Sequence, residues 1–178
     1  MRSISSGSQP VQKSNMAKWL VIPWAFCLVF LSSPQTAHCQ ADNIFPTKYA
    51  KIHYNDEKDF MEFIWHLGGS RPDPLTGTDI AANRVDRIVE RVEAILDMTP
   101  QDFTLDIYVK RGEVSPDKVA YYDNKSKSIY VSLENSGEGT FAHEVAHAVI
   151  GQYFNTPPPS KMQEILAQYV DKYLWSDY

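Results

Sequence analysis

A run of three prolines most constrains how this chain can fold. Asn155-Thr156-Pro157-Pro158-Pro159 separates two stretches that each read as helix, residues 136–154 and 160–174. Proline has no amide hydrogen for a helix to use, and it pushes the preceding residue toward extended backbone. One continuous rod is excluded, and the second helix must leave in a new direction. The first stretch carries His143-Glu144-Val145-Ala146-His147 in its middle, and the second carries Glu164 near its start. How the two helices fold back decides whether these side chains meet.

Histidines at i and i+4 on a helix lie about 40° apart, one turn above the other. Their imidazole nitrogens can converge on a single ion at about 2.0–2.1 Å each. Glu144 is rotated about 100° from His143, so it stands beside such an ion rather than on it. A general base is wanted there, to take a proton from an activated water and pass it to a leaving amine. Zn2+ suits these donors because it is redox-inert and accepts both imidazole and carboxylate. Around the motif, Val145, Val149 and Ile150 can hold the helix in a core, while Ala142, Ala146 and Ala148 keep its surroundings small. The competing reading is a buried helix whose histidines are satisfied by hydrogen bonds.

A catalytic zinc needs a third protein ligand and an open position. The metzincin pattern is excluded, because it requires glycine at position 150 and histidine or aspartate at 153, where this chain has Ile150 and Tyr153. A glutamate from the following helix is the other route. Glu164 lies 17 residues after His147, and an antiparallel return would bring its carboxylate to the open side of the two imidazoles. Taken alone, Glu164 is equally an exposed acid stabilised by the positive end of its helix. Ser160 and Gln163 have the spacing of a capping box, which places Glu164 in the first turn and a half of that helix. Ser136 or Thr140 is expected to cap the histidine helix, with Glu138 near its positive end.

The segments Phe141–Ile150 and Pro157–Leu174 together resemble the gluzincins of the peptidase MA clan, zinc metallopeptidases, and in length the small single-domain minigluzincins. Met162-Gln163-Glu164-Ile165-Leu166-Ala167-Gln168-Tyr169 is similar to the glutamate helix of that group. The resemblance covers residues 140–174 closely. It implies an α+β, zincin-like fold with a small mixed sheet, an active-site helix and a following glutamate helix. It also implies His143, His147 and Glu164 as zinc ligands and Glu144 as the base. Gln168 falls where thermolysin-like sequences carry an aspartate that orients a zinc-bound histidine, so its carbonyl is expected to accept an imidazole N–H. Strand 128–134 is expected at the sheet edge above the zinc, where an extended peptide substrate would add as a further strand.

Larger gluzincins take the group that stabilises the oxyanion from a domain after the glutamate helix, whereas here 14 residues follow Glu164. Tyr121, Tyr122, Tyr130, Tyr169, Tyr173 and Tyr178 are candidates for that role, with His53 and His66 as further possibilities, and the pattern selects none. The rival function is a zinc-binding domain without useful hydrolysis, acting as a peptide-binding or assembly module. A purely structural zinc is disfavoured, because no fourth ligand stands near the motif and structural sites favour cysteine.

The front of the chain reads differently. Residues 1–41 hold Arg2, Lys13 and Lys18, no acid, and an apolar run of 13 residues from Trp19 to Leu31. A basic front, a short apolar middle and a small-residue exit describe a signal peptide for export across the cytoplasmic membrane, cleaved after Cys39 or Ala41. The run is short against the roughly 20 residues of a membrane span. Left uncleaved, it would be an anchor, the only membrane contact expected. Residues 42–178 then form one zincin-like metallopeptidase domain. Cys27 and Cys39 both lie in the leader, so the domain is no disulfide scaffold. Its charge falls from −5 to about −8 once the three basic leader residues go, which argues against nucleic acid.

Between these ends, residues 49–56 have strand character and 56–69 read as a helix stopped by Gly68-Gly69. Residues 78–98 read as an amphipathic helix ended by Pro100, and 103–110 as a half-buried strand. Residues 119–135 read as a hairpin turning near Asp123-Asn124-Lys125-Ser126. On the last helix, Ile165, Leu166, Tyr169, Val170, Tyr173 and Leu174 are expected to form the buried side.

Overall fold

The computed structural model describes residues 43–68 and 77–176. The expected leader and Tyr178 lie outside the described residues. The architecture is α+β, with four helices and a mixed five-stranded sheet among the described residues. The strands are β1 (Asn43–Pro46), β2 (Ala50–Tyr54), β3 (Leu105–Lys110), β4 (Ala120–Asp123) and β5 (Ser128–Ser132). The helices are α1 (Glu57–His66), α2 (Gly77–Leu96), α3 (Glu138–Tyr153) and α4 (Ser160–Tyr173). None is long and apolar enough to cross a membrane.

The sheet order is β1-β2-β3-β5-β4, with β2, β3 and β5 parallel and the two outer strands antiparallel to their neighbours. Here the structure corrects an expectation. β5 is an interior strand, paired on both sides, and β4 is the edge. The hairpin itself forms where the alternation placed it, and Asp123 closes its turn by accepting from Lys125 N (3.1 Å) and Ser126 Oγ (2.8 Å). Alternation identified the strands, but strand order depends on which flank β3 takes, and that is a tertiary choice. β1 was not anticipated. It is short, mostly exposed and ends at a proline, so it carries no alternation of its own.

One core lies between the sheet's inner face and the helices. Ile52, Ile107, Ile129 and Val131 point into it and meet Phe63, Val85, Val89, Phe141, Val145 and Val149. Asp56 caps α1 by accepting from Asp59 N at 2.9 Å, and Gly68, at φ 93°, stops it in the left-handed region that glycine tolerates. Arg111, just past β3, pins α1 by donating to Asp59 (2.8 Å) and Glu62 (2.7 Å). α2 ends before Pro100. Asp97 takes a positive φ of 54°, and Met98 N donates back to Glu93 O at 3.1 Å, a Schellman-type stop.

Two capping expectations are corrected. α3 begins after Gly137 with no side-chain cap, and the Ser136 hydroxyl instead donates to the Ser132 carbonyl. α4 begins one residue earlier than the capping box requires. Pro159 is its N-cap, and proline offers neither a side-chain acceptor nor an N–H for Gln163 to reach. Gln163 donates to Pro158 O at 2.7 Å instead. The buried side of α4 is also narrower than its apolar pattern. Ala167, Val170 and Leu174 are buried, while Ile165 is 53% and Tyr169 48% exposed.

Glu93 is a carboxylate in the α2 face of this core, 8% exposed. Burial pushes its pKa up, Lys48 opposes the shift and Glu90 adds to it. The folded state therefore holds the Glu93 proton more tightly than the unfolded chain. The resulting penalty is absent below the ordinary carboxylate pKa and grows as pH rises through the window above it. Glu93→Gln should raise Tm by a few degrees at pH 7, with the gain fading by pH 4. Thermal unfolding at both pH values checks this, and an equal shift at the two would remove the buried charge as its cause.

Candidate metal centre

α3 and α4 pack as an antiparallel pair. Their buried residues include the small or slim Ala142, Ala146 and Val149 on α3 and Ala167 and Val170 on α4. Small side chains allow close approach of two helix axes. The reversal brings the side chains of three predicted residues together. Glu164 Oε2 lies 3.7 Å from His143 Nε2 and 3.7 Å from His147 Nε2. One donor atom from each of the three lies within 4.8 Å of the others. A tetrahedral ion with ligands at about 2.0–2.1 Å would set its donors roughly 3.3 Å apart. The cage therefore needs only a small contraction to hold a metal ion.

The three ligand candidates leave one side open. The histidine side chains are 21% and 20% exposed and Glu164 is 49% exposed. Among the described residues no fourth His, Cys, Asp or Glu joins the group.

Two of the three donors are held from behind. Asp171 Oδ2 lies 2.9 Å from His143 Nδ1, fixing the ring so that Nε2 faces the cage. Gln168 Nε2 donates to Glu164 Oε1 at 2.9 Å, leaving Oε2 for the cage. This corrects the expected role of Gln168, which orients the glutamate and not an imidazole. At i+4 on the same helix, its amide is directly beside the Glu164 carboxylate. Asp171 was missed, although a signal existed. Seven residues at 100° each return it to within about 20° of Glu164, two turns along the same face.

Glu144 stands beside the cage, mostly buried. Its Oε2 accepts from Tyr122 N on the edge strand β4 at 2.8 Å. Burial raises its pKa, while His143, the Tyr122 N–H and Lys118 pull it back. Burial lowers the pKa of His147, with the neighbouring His143 adding to the effect. A neutral imidazole is the form that binds a metal. Glu164 is held below the usual carboxylate range, first by the Gln168 hydrogen bond and then by the two histidines. It is ionised at neutral pH, as a ligand must be. Gly151, one turn past His147, lets β4 lie close to α3. A Cβ there would meet Asn124 Oδ1 at 2.6 Å and the Tyr122 ring at 3.4 Å.

Among the tyrosine candidates, Tyr122 is tied to Glu144 by its backbone N–H, and its ring lies against α3 at Gly151. Tyr121 and Tyr130 stack on each other on the outer face of the sheet, and Tyr169 stacks near Tyr173 on α4. His53 pairs with Asp106 at 2.8 Å, and His66 Nδ1 is buried without a hydrogen-bond partner among the described residues. Comparison with protein families, curated proteins and solved structures found no match. What the centre can do therefore rests on its own geometry.

Asp171→Ala should weaken metal binding by about 10–100-fold, with Asp171→Asn retaining part of the affinity. Competition with a chromophoric chelator reads this directly. Unchanged affinity in the alanine variant would separate Asp171 from the centre.

Proposed function

We propose that this chain is a zinc-dependent metallopeptidase of gluzincin type, with a zincin-like domain that hydrolyses peptide bonds. The observation that carries the reading is Glu164 Oε2 at 3.7 Å from both histidine Nε2 atoms, with Glu144 beside them on the edge-strand side. His143, His147 and Glu164 would hold the ion. Bound zinc supplies a Lewis acid that polarises the scissile carbonyl and acidifies water. Glu144, held by the Tyr122 N–H, accepts the proton of the attacking water on its carboxylate and delivers it to the departing amine. Its burial favours the protonated intermediate stage, so one side chain serves as base and then as acid. Asp171 and Gln168 keep His143 and Glu164 aimed.

The peptide substrate lies along β4, the edge strand beside Glu144, where the outward backbone groups that Glu144 does not already engage can accept a further strand. The basic, apolar and small-residue order of residues 1–41 supports export as part of the same reading. The rival is a zinc-loaded module that binds extended peptides without cleaving them.

The two differ in one variant. Glu144→Gln should keep one zinc per chain and lower cleavage of unfolded protein by roughly 100-fold or more. Glu164→Ala should lose the zinc. If the zinc-loaded wild type cleaves no peptide, the peptidase reading falls and the binding module stands. Zinc content that is unaltered in Glu164→Ala would remove the three-ligand centre itself.

A further inference from the structure

The outer face of the sheet carries one aromatic ring on each of the four strands β2, β3, β5 and β4, in a single register row. His53 of β2 stacks on Tyr108 of β3 at 4.3 Å, Tyr108 on Tyr130 of β5 at 5.0 Å, and Tyr130 on Tyr121 of β4 at 5.0 Å. The interplanar angles are 15°, 13° and 18°, so the rings stand like books on a shelf. The row follows the pairing, with His53 opposite Tyr108, Tyr108 opposite Tyr130 and Tyr130 opposite Tyr121. It stops at Tyr121 because β4 is the last strand. Among the described residues no ring stacks on the other face of Tyr121, and the Lys118 ammonium lies over the ring, 5.7 Å from its centroid.

The hydrogen-bond phase of β4 makes this open face close to any added strand. Tyr122 N–H points away from β5, since it donates to Glu144. In an antiparallel pair the phase alternates, so Tyr121 turns its own N–H and C=O toward β5 and Ala120 turns its pair outward. A peptide laid antiparallel along β4 would bond at Ala120. Its residue opposite Tyr121 would then occupy a non-hydrogen-bonded position, where side chains come closest, Cα to Cα about 4.5 Å. That side chain falls on the outer face and meets the Tyr121 ring at the spacing of the existing row.

We propose that the open face of Tyr121 is a specificity subsite that selects an aromatic side chain beside the scissile bond, extending the ring row by one step. The proposal rests on the reading of β4 as the strand that receives the peptide. Two planar groups can stack on a tyrosine, an aromatic ring and a guanidinium. Lys118 over the ring repels the second, so phenylalanine is favoured over arginine. The subsite lies on the sheet face opposite the helices, while the metal centre lies at their junction. Its selection is therefore independent of the zinc ligands.

The test uses zinc-loaded full-length Glu144→Gln and polar peptides that carry one phenylalanine at successive positions. At one position, phenylalanine should bind roughly 2- to 12-fold more tightly than alanine. Neighbouring positions should show no such gain, because a one-residue shift moves the side chain to the other face. Arginine at the selected position should gain less than phenylalanine. Tyr121→Thr, a substitution suited to strands, should abolish the preference while alanine peptides bind as before, which also reports that the variant is folded. Tyr121→Phe should retain it. No preference, a preference spread over adjacent positions, one that survives Tyr121→Thr, or no peptide binding at all overturns the subsite. Cleavage of alanine and phenylalanine peptides by the wild type separates the two ideas. Equal cleavage sinks the subsite and leaves the peptidase, whereas aromatic-selective binding without cleavage sinks the peptidase and leaves the subsite.

Discussion

The packing of α4 against α3 is the contact on which the rest of the centre depends. Three prolines end one helix and start the next, so the chain must turn. The two helices then pack together, with alanines at positions 142, 146 and 167 fully buried. That approach carries Glu164 across to both imidazoles. It also explains why Ile165 and Tyr169 stay exposed. They lie about 100° and 140° around α4 from Glu164, so turning them into the core would swing the carboxylate away from the histidines. Placing the ligand takes precedence over burying two large apolar side chains.

α2 keeps α4 in place from the far side. Arg91 donates to the carbonyls of Tyr173 (3.2 Å), Leu174 (3.3 Å) and Ser176 (2.8 Å), the negative end of α4. Arg84 does the same for α1 through Ile64 O at 2.6 Å. Two helix ends are thus tied to one long helix whose apolar face forms the centre of the core. The candidate metal centre sits on a helix junction rather than on a loop, which favours fixed donor positions over induced ones.

The sheet contributes through its last strand. β4 is only four residues long, yet it holds Glu144 through the Tyr122 amide and offers the one edge beside the centre. Gly151 makes this possible by leaving room between α3 and the β4 turn. Inner-face and outer-face residues of β4 have separate duties. Tyr122 packs toward α3, and Tyr121 ends the ring row on the other side.

Local pattern determined much of this protein. Local pattern marked every helix and four of the five strands among the described residues, and the i, i+4 spacing placed His143 and His147 on one face. The proline run required the reversal that makes Glu164 a candidate third donor. These are properties of residues near one another in the chain, which backbone geometry alone relates. Tertiary structure decided what depends on distant residues meeting. It made β4 rather than β5 the edge, gave the imidazole of His143 to Asp171 and the carboxylate of Glu164 to Gln168, and replaced a serine cap by Pro159. Each was a choice among partners that sequence spacing allows equally well. Packing resolved it, because only one rotation of α4 buries Ala167 and Val170 while keeping Glu164 turned to the histidines.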